Sequence, residues 1–241
     1  MFLTGPGGSG KSEIVNGVLT YAKEYCSNLE VPFTEKTILI TACSGVAATL
    51  INGETVHRAV HLNVELKNLT ATHIEQFEEV RLLIIDEISF MASDEIRKLD
   101  EVLRRVRERL SKKYGGLDIV FMGDFSQIPP IKGTKVYEDN RLPQWHEWMN
   151  CFIQLKERWR FKDDPKFGEV CWRFHEGTPT PDDFDFVNSR LLSSKFQYQS
   201  KSNVFPFCFW TNLFLLLYQN SGVNSLVELH MLCIITVTEM L

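Results

Sequence analysis

Along the first 190 residues, short apolar runs alternate with longer stretches in which apolar side chains return every three or four positions. The first run, Met1-Phe2-Leu3, leads through a glycine-rich segment into Lys11–Cys26, where Ile14, Val18 and Ala22 form one row and Val15, Leu19 and Cys26 another. That period belongs to a helix packed on a sheet. Thr37-Ile38-Leu39-Ile40-Thr41-Ala42 and Leu82-Leu83-Ile84-Ile85 are continuously apolar in character. Such runs suit strands covered on both faces, and so a mostly parallel sheet. Leu117 to Met122 and Cys151 to Leu155 read as further strands.

Helix signals fill the intervals. Cys43-Ser44-Gly45-Val46-Ala47-Ala48 turns into a helix of small residues, followed by Asn52-Gly53 as a tight turn. Thr72-x-x-Glu75 predicts a capping box that opens a short helix to Val80. Ser93 is expected to cap a helix whose apolar stripe is Ile96, Leu99, Leu103, Val106 and Leu110. The cations of this helix (Arg97, Lys98, Arg104, Arg105, Arg107, Arg109, Lys112, Lys113) are interspersed with acids, so they form either an ion-paired face or a phosphate-binding stripe. Asp164-Pro165 starts a helix with Phe167, Val170 and Phe174 inward and Gly177 as its stop. Pro181 starts another with Phe184, Val187 and Leu191 inward.

With 241 residues, 44% of them hydrophobic, the chain can bury a full core. Its net charge of −5 excludes a uniformly basic nucleic-acid binder and leaves local patches as the place to seek phosphate contacts. Six scattered cysteines without a C-x-x-C pair, and a start without signal-peptide character, predict reduced thiols in an intracellular protein. The histidines show no zinc-ligand spacing. After Leu192 the character changes: Ser202 to Val227 carries no charge and is dense in Phe and Leu. At about 15 residues, interrupted by Pro206 and Asn212, the densest part falls short of the ~20 needed for a membrane span, so no membrane partner is expected.

Chemistry concentrates at strand ends. Gly5-Pro6-Gly7-Gly8-Ser9-Gly10-Lys11-Ser12 fits G-x-x-x-x-G-K-[ST], the loop whose backbone N–H groups wrap a polyphosphate at a helix start. Lys11 is placed to reach the β- and γ-phosphates of ATP, and Ser12 to hold Mg²⁺. The strand ending at Asp86-Glu87 offers a second Mg²⁺ ligand in Asp86 and a water-polarising base in Glu87. Gly123-Asp124-Phe125-Ser126-Gln127-Ile128-Pro129-Pro130 places Gln127 at another strand edge, where it either meets the γ-phosphate or satisfies loop backbone. Trp145, Trp148 and Trp159 are either base-stacking platforms or core.

Together, GPGGSGKS, TACSGVAATLINGETVHRAV, IIDEISFM and GDFSQIPPI resemble motifs I, Ia, II and III of the PIF (petite integration frequency) DNA helicases, over roughly residues 1–192. The resemblance implies a RecA-like P-loop NTPase fold over 1–155, a motif IV segment with helices leading toward a second motor domain over 156–192, and a divergent apolar tail over 193–241. It implies ATP-dependent, 5′–3′ unwinding with roles in DNA repair, recombination and telomere maintenance. Single-stranded DNA and duplex junctions would be the partners, with no obligate protein partner. The nucleus, with the mitochondrion as alternative, would be the compartment.

Carried over residue by residue, Gln127 couples nucleotide state to DNA, and Arg160 looks like the motif IV arginine that reaches the γ-phosphate. Thr41, Ser44, Gly45 and His57 lie where the family grips the single strand. Cys43-Ser44 stands where the family has Pro-Thr, which keeps a hydroxyl. No upstream glutamine motif and no motif V or VI is present, so an incomplete motor is expected. A nucleotide- and DNA-binding module without helicase activity is the alternative. A P-loop nucleotide kinase or transport ATPase is a third reading, disfavoured by the segment from Gly123 to Ile131.

Overall fold

The computed structural model describes residues 1–139 and 149–189. Trp145, Trp148, Leu191 and the apolar tail from 193 lie outside the described residues. The chain divides into two compact units, Met1–Trp159 and Arg160–Leu241.

The first unit is an α/β sandwich. Its strands are β1 (Phe2–Thr4), β2 (Ile38–Ala42), β3 (Glu54–Thr55), β4 (Leu82–Asp86), β5 (Asp118–Gly123) and β6 (Phe152–Gln154). They form one six-stranded sheet in the order β3-β2-β4-β5-β1-β6, and every pairing is parallel. The register sets Ala42 beside Asp86, Ile85 beside Phe121, and Thr4 beside both Gly123 and Gln154.

The two-residue alternation of strand side chains divides the apolar runs between two cores. Leu3, Ile38, Ile84 and Met122 point to the face covered by α1 (Lys11–Asn28), against Val15. Phe2, Leu83, Ile85 and Phe121 point to the opposite face. There they meet Ile96, Leu99, Val102, Leu103 and Val106 of α5 (Ser93–Val106), together with Val56, Val60 and Phe77. Small helices α2 (Gly45–Leu50), α3 (Val56–Ala59) and α4 (Ala71–Glu75) occupy the β2–β4 connection.

Several local expectations need correction. The box at Thr72 forms two residues earlier: the Thr70 N–H donates to His73 Nδ1 at 2.9 Å, and α4 ends at Glu75, short of Val80. Ser93 is the first residue inside α5 and not its cap. Its hydroxyl donates to buried Asp139 at 2.6 Å, while the Glu95 carboxylate accepts the Ala92 N–H at 2.8 Å and closes the helix start. Leu110 lies past the end of α5 and is exposed, because the helix stops at Val106 and the stripe stops with it.

The cations of α5 lean toward local pairing, as Arg97 pairs with Asp94 and Arg104 with Asp100. Arg107 instead donates to the Phe77 and Val80 carbonyls, each at 2.8 Å, and ties the α4–β4 connection to α5.

The second unit contains α6 (Pro165–His175) and α7 (Pro181–Asn188), each with a proline in its first turn. Asp164 accepts the Phe167 N–H at 3.0 Å, and Thr180 accepts the Asp183 N–H at 3.3 Å. Arg173 of α6 grips Asp183 of α7 through both carboxylate oxygens, at 2.7 and 2.5 Å. That guanidinium holds the Asp183 carboxyl well below the usual carboxylate range. Phe167 and Val187 are buried as expected, but Phe184 is 39% exposed, resting its edge on Phe174.

Two glycines separate backbone requirement from backbone cost. Gly115 sits at φ +62°, and a Cβ there would fall 2.5 Å from the Leu103 carbonyl oxygen. Gly17 lies within α1 with open space around it. Gly17→Ala should therefore stabilise the chain by about 0.5–1 kcal/mol through helix propensity. Gly115→Ala should destabilise it by about 1–3 kcal/mol. Urea denaturation of both variants checks the opposite signs.

Candidate active site

A parallel sheet carries all its strand C-termini on one edge, and β4, β5 and β1 are consecutive neighbours there. The loops leaving these three strands are the glycine-rich loop, the Asp86-Glu87 turn and the segment from Gly123 to Gln127. Ligands of open α/β sheets bind outside this edge.

The loop from Gly5 to Gly10 is built for close approach. Gly8 and Gly10 take φ values of 78° and 94°, which side chains disfavour. A Cβ on Gly5 would lie 2.7 Å from Ser9 Oγ and 2.9 Å from the Leu155 carbonyl oxygen. Pro6 and Ser9 are buried, whereas Gly7 is partly open. Ser9 Oγ is a buried polar atom without a hydrogen-bond partner. The 18-residue helix α1 starts immediately after Gly10, so the positive end of its dipole faces the loop. Lys11 Nζ donates to the Gly5 and Pro6 carbonyls, at 2.6 and 3.2 Å. Ser12 is exposed on the first turn. Glycine cradle, unsatisfied hydroxyl and helix start together fit a polyphosphate.

Asp86 is 7% exposed at the end of β4, and its Oδ1 accepts the Glu87 N–H at 2.8 Å. Glu87 takes left-handed backbone with φ 56°, an uncommon conformation for a side-chain-bearing residue. The turn lifts its carboxylate away from the strand axis and toward β2, where Oε2 accepts the Ser44 hydroxyl at 2.7 Å. Burial pushes both carboxyls above their ordinary range. The hydrogen bond from the Glu87 N–H opposes that rise at Asp86, the Ser44 hydrogen bond opposes it at Glu87, and the positive charge of Lys11 opposes it at both to a smaller extent. Lys11, Asp86, Glu87 and Ser44 thus share one electrostatic neighbourhood.

Among the described residues no cluster of three or more His, Cys, Asp or Glu side chains could hold a metal ion. Mg²⁺ needs no such cluster, because it is commonly held by one or two carboxylates with phosphate oxygens and waters. The Ser12 hydroxyl and the Asp86 carboxylate fit that requirement.

Gln127 is exposed, with its carboxamide donating to Asp124 Oδ2 at 3.4 Å. Asp124, which the sequence reading did not single out, is the organiser of this turn. Buried itself, it accepts from the Ser126 N–H through Oδ1 at 3.0 Å and from the Gln127 N–H through its own carbonyl, also at 3.0 Å. An Asp two residues ahead of a Ser at a strand end is a legible signal for such a turn. A Cβ on Gly123 would stand 3.0 Å from the Ile88 nitrogen, so this turn packs directly on the one carrying Glu87.

The four strand-contact candidates separate. Ser44 caps α2, its Oγ accepting the Ala47 N–H at 3.2 Å, and Gly45 beside it is exposed. Thr41 is fully buried, and its hydroxyl donates to the Ile84 carbonyl at 2.8 Å. It has no surface to offer a nucleic acid, because strand alternation turns it into the sheet. His57 Nε2 lies 2.7 Å from Glu95 Oε1. Glu95 was also missed by sequence reading; the His57 hydrogen bond holds its carboxyl below the ordinary range. Arg160 belongs to the second unit, where it is exposed in a short turn over Trp159–Phe161. Trp159 is 63% exposed.

Residues 1–169 match the model of the PIF1-like helicase family. The chain is 25% identical over 231 residues to the ATP-dependent DNA helicase PIF1 of Saccharomyces cerevisiae, covering 84% of this chain and 26% of that protein. It is 31% identical over 179 residues to the ATP-dependent DNA helicase RRM3 of the same species, covering 68% of this chain and 23% of the relative. The crystal structure of the Pif1 helicase from Candida albicans superposes with a TM-score of 0.65 at 28% identity, covering 80% of this chain and 44% of that one. The chain therefore spans about a quarter of the length of these curated relatives.

The raised carboxyl of Asp86 has a thermodynamic sign. A carboxyl that titrates higher folded than unfolded makes the folded state bind more protons, so its contribution to stability falls as pH rises through that interval. Asp86→Asn should raise the metal-free melting temperature at pH 7 and lose that advantage at about pH 3, below both titrations. Differential scanning fluorimetry across pH measures it; a gain that is equal at both pH values would contradict the burial effect.

Proposed function

Because this chain belongs to the PIF1-like helicase family, we propose that it carries the nucleotide-binding motor domain of an ATP-dependent DNA helicase that moves 5′–3′ on single-stranded DNA. The observation that carries this reading is the shared neighbourhood of Lys11, Asp86 and Glu87 at the C-terminal edge of the parallel sheet, directly behind the glycine loop. The curated relatives named above are ATP-dependent DNA helicases.

In this reading Lys11 exchanges the Gly5 and Pro6 carbonyls for the β- and γ-phosphates of ATP. Loop N–H groups and the start of α1 hold the remaining phosphate charge. Ser12 and Asp86 are the oxygen donors for Mg²⁺, which when bound neutralises phosphate charge. Glu87, ionised, orients water and accepts its proton. Gln127 reports the state of the phosphate end to the turn organised by Asp124. A DNA strand lies over Ser44 and Gly45 and meets His57, whose Nε2 is held by Glu95.

Lys11→Ala should weaken binding of a fluorescent ATP analogue about 10- to 100-fold, the worth of a charge-assisted hydrogen bond. Equal affinities would remove the nucleotide site from this loop. Glu87→Gln keeps shape and removes the base, so analogue binding should persist while ATP turnover with oligonucleotide present drops about 100-fold or more. Phosphate release at the wild-type rate would assign the base elsewhere.

A further inference from the structure

Ser44 has one hydroxyl proton and uses it on Glu87. The oxygen also accepts the Ala47 N–H, so its position is fixed from the α2 side. From the other side, the Cys43 N–H donates to the Asp86 carbonyl at 3.0 Å, so the Ser44 segment is joined to the Asp86-Glu87 turn by backbone as well as by side chain. Ser44 is half-buried and Gly45 exposed, which leaves the hydroxyl within reach of the face on which the functional reading places the strand. A serine hydroxyl donates one hydrogen bond at a time. A strand phosphate that accepts from Ser44 must therefore draw the hydroxyl hydrogen away from Glu87 Oε2, which accepts it in this structure.

We propose that Ser44 is a positioning residue whose single hydroxyl proton is contested between Glu87 and a phosphate of the bound strand, so that strand engagement releases the Glu87 carboxylate for its work on water. The device rests on the functional reading given above. It needs no movement of a domain: a rotation of one hydroxyl changes the partner of the base. Lys11 and Asp86, the charged groups facing Glu87, then decide where the released carboxylate turns. Reciprocity follows, since whatever restrains Glu87 against Ser44 must weaken strand binding by the same factor.

The test reads Glu87 directly. The full chain is labelled with ¹⁵N-glutamate, the Glu87 amide is identified by its loss in Glu87→Gln, and oligo(dT) is added to saturation followed by fluorescence anisotropy. Strand binding should shift the Glu87 amide in the wild type. The shift should vanish in Ser44→Ala and in Ser44→Gly, and return in Ser44→Thr. The glycine variant matters because glycine keeps most of the N-cap stability that alanine loses, so agreement between the two excludes a melted α2. A Glu87 shift of wild-type size in either hydroxyl-free variant at saturating oligonucleotide would overturn the proposal, as would an unmoved amide in a wild type that binds strand. Absence of oligonucleotide binding by the wild type would instead overturn the functional reading, and this device with it.

Discussion

One direction of travel governs the first unit. Since every strand of the sheet is parallel, each connection must cross a face and return, and every strand delivers its next loop to the same edge. The glycine loop, the acidic turn and the Asp124 turn are far apart in sequence, yet share one edge for this reason, and the strand order makes them neighbours there. The cores enforce it: the strand side chains alternate between α1 and α5, so a slip of one residue in β4 would turn Asp86 and its neighbours over.

Within that frame, the site is a balance between burial and charge. Two adjacent carboxylates lie at the buried end of β4, and burial alone would favour their neutral forms. Hydrogen bonds oppose it first, from the Glu87 N–H to Asp86 and from the Ser44 hydroxyl to Glu87, and the positive charge of Lys11 adds to both. Any anion that draws Lys11 away also alters what favours the ionised carboxylates, so in the proposed reading phosphate recognition and the readiness of the base are one electrostatic problem.

Much of this was legible in the sequence. Continuous apolar runs announced the parallel strands, and residue types at strand ends announced the glycine loop, Asp86 and Glu87, because both signals are local. What escaped was set by partners distant in the chain. Thr41 looks like a polar residue at a strand end, but register turns it against Ile84. Ser93 looks like a cap, yet Asp139, 46 residues on, claims its hydroxyl, and Glu95 takes over the capping. His57 meets the same Glu95 through a contact 38 residues long. Leu110 keeps the helical period after the helix has ended. The charge run on α5 reads either way in sequence, and it is the pairing of Arg97 with Asp94 and of Arg104 with Asp100 that favours the ion-paired face, while Arg107 just past the helix spans to the Phe77 and Val80 carbonyls.

At Glu87, chemistry and backbone pull against each other. The left-handed φ suits glycine and costs a side-chain-bearing residue on the order of 1 kcal/mol, so the residue proposed to serve hydrolysis is not the one that best serves folding. If Glu87 is the base proposed above, then in a lineage no longer selected for turnover a change to glycine would remove the base and relax the turn at once. A glycine after the acidic strand end would thus mark a descendant that kept the fold and gave up the reaction.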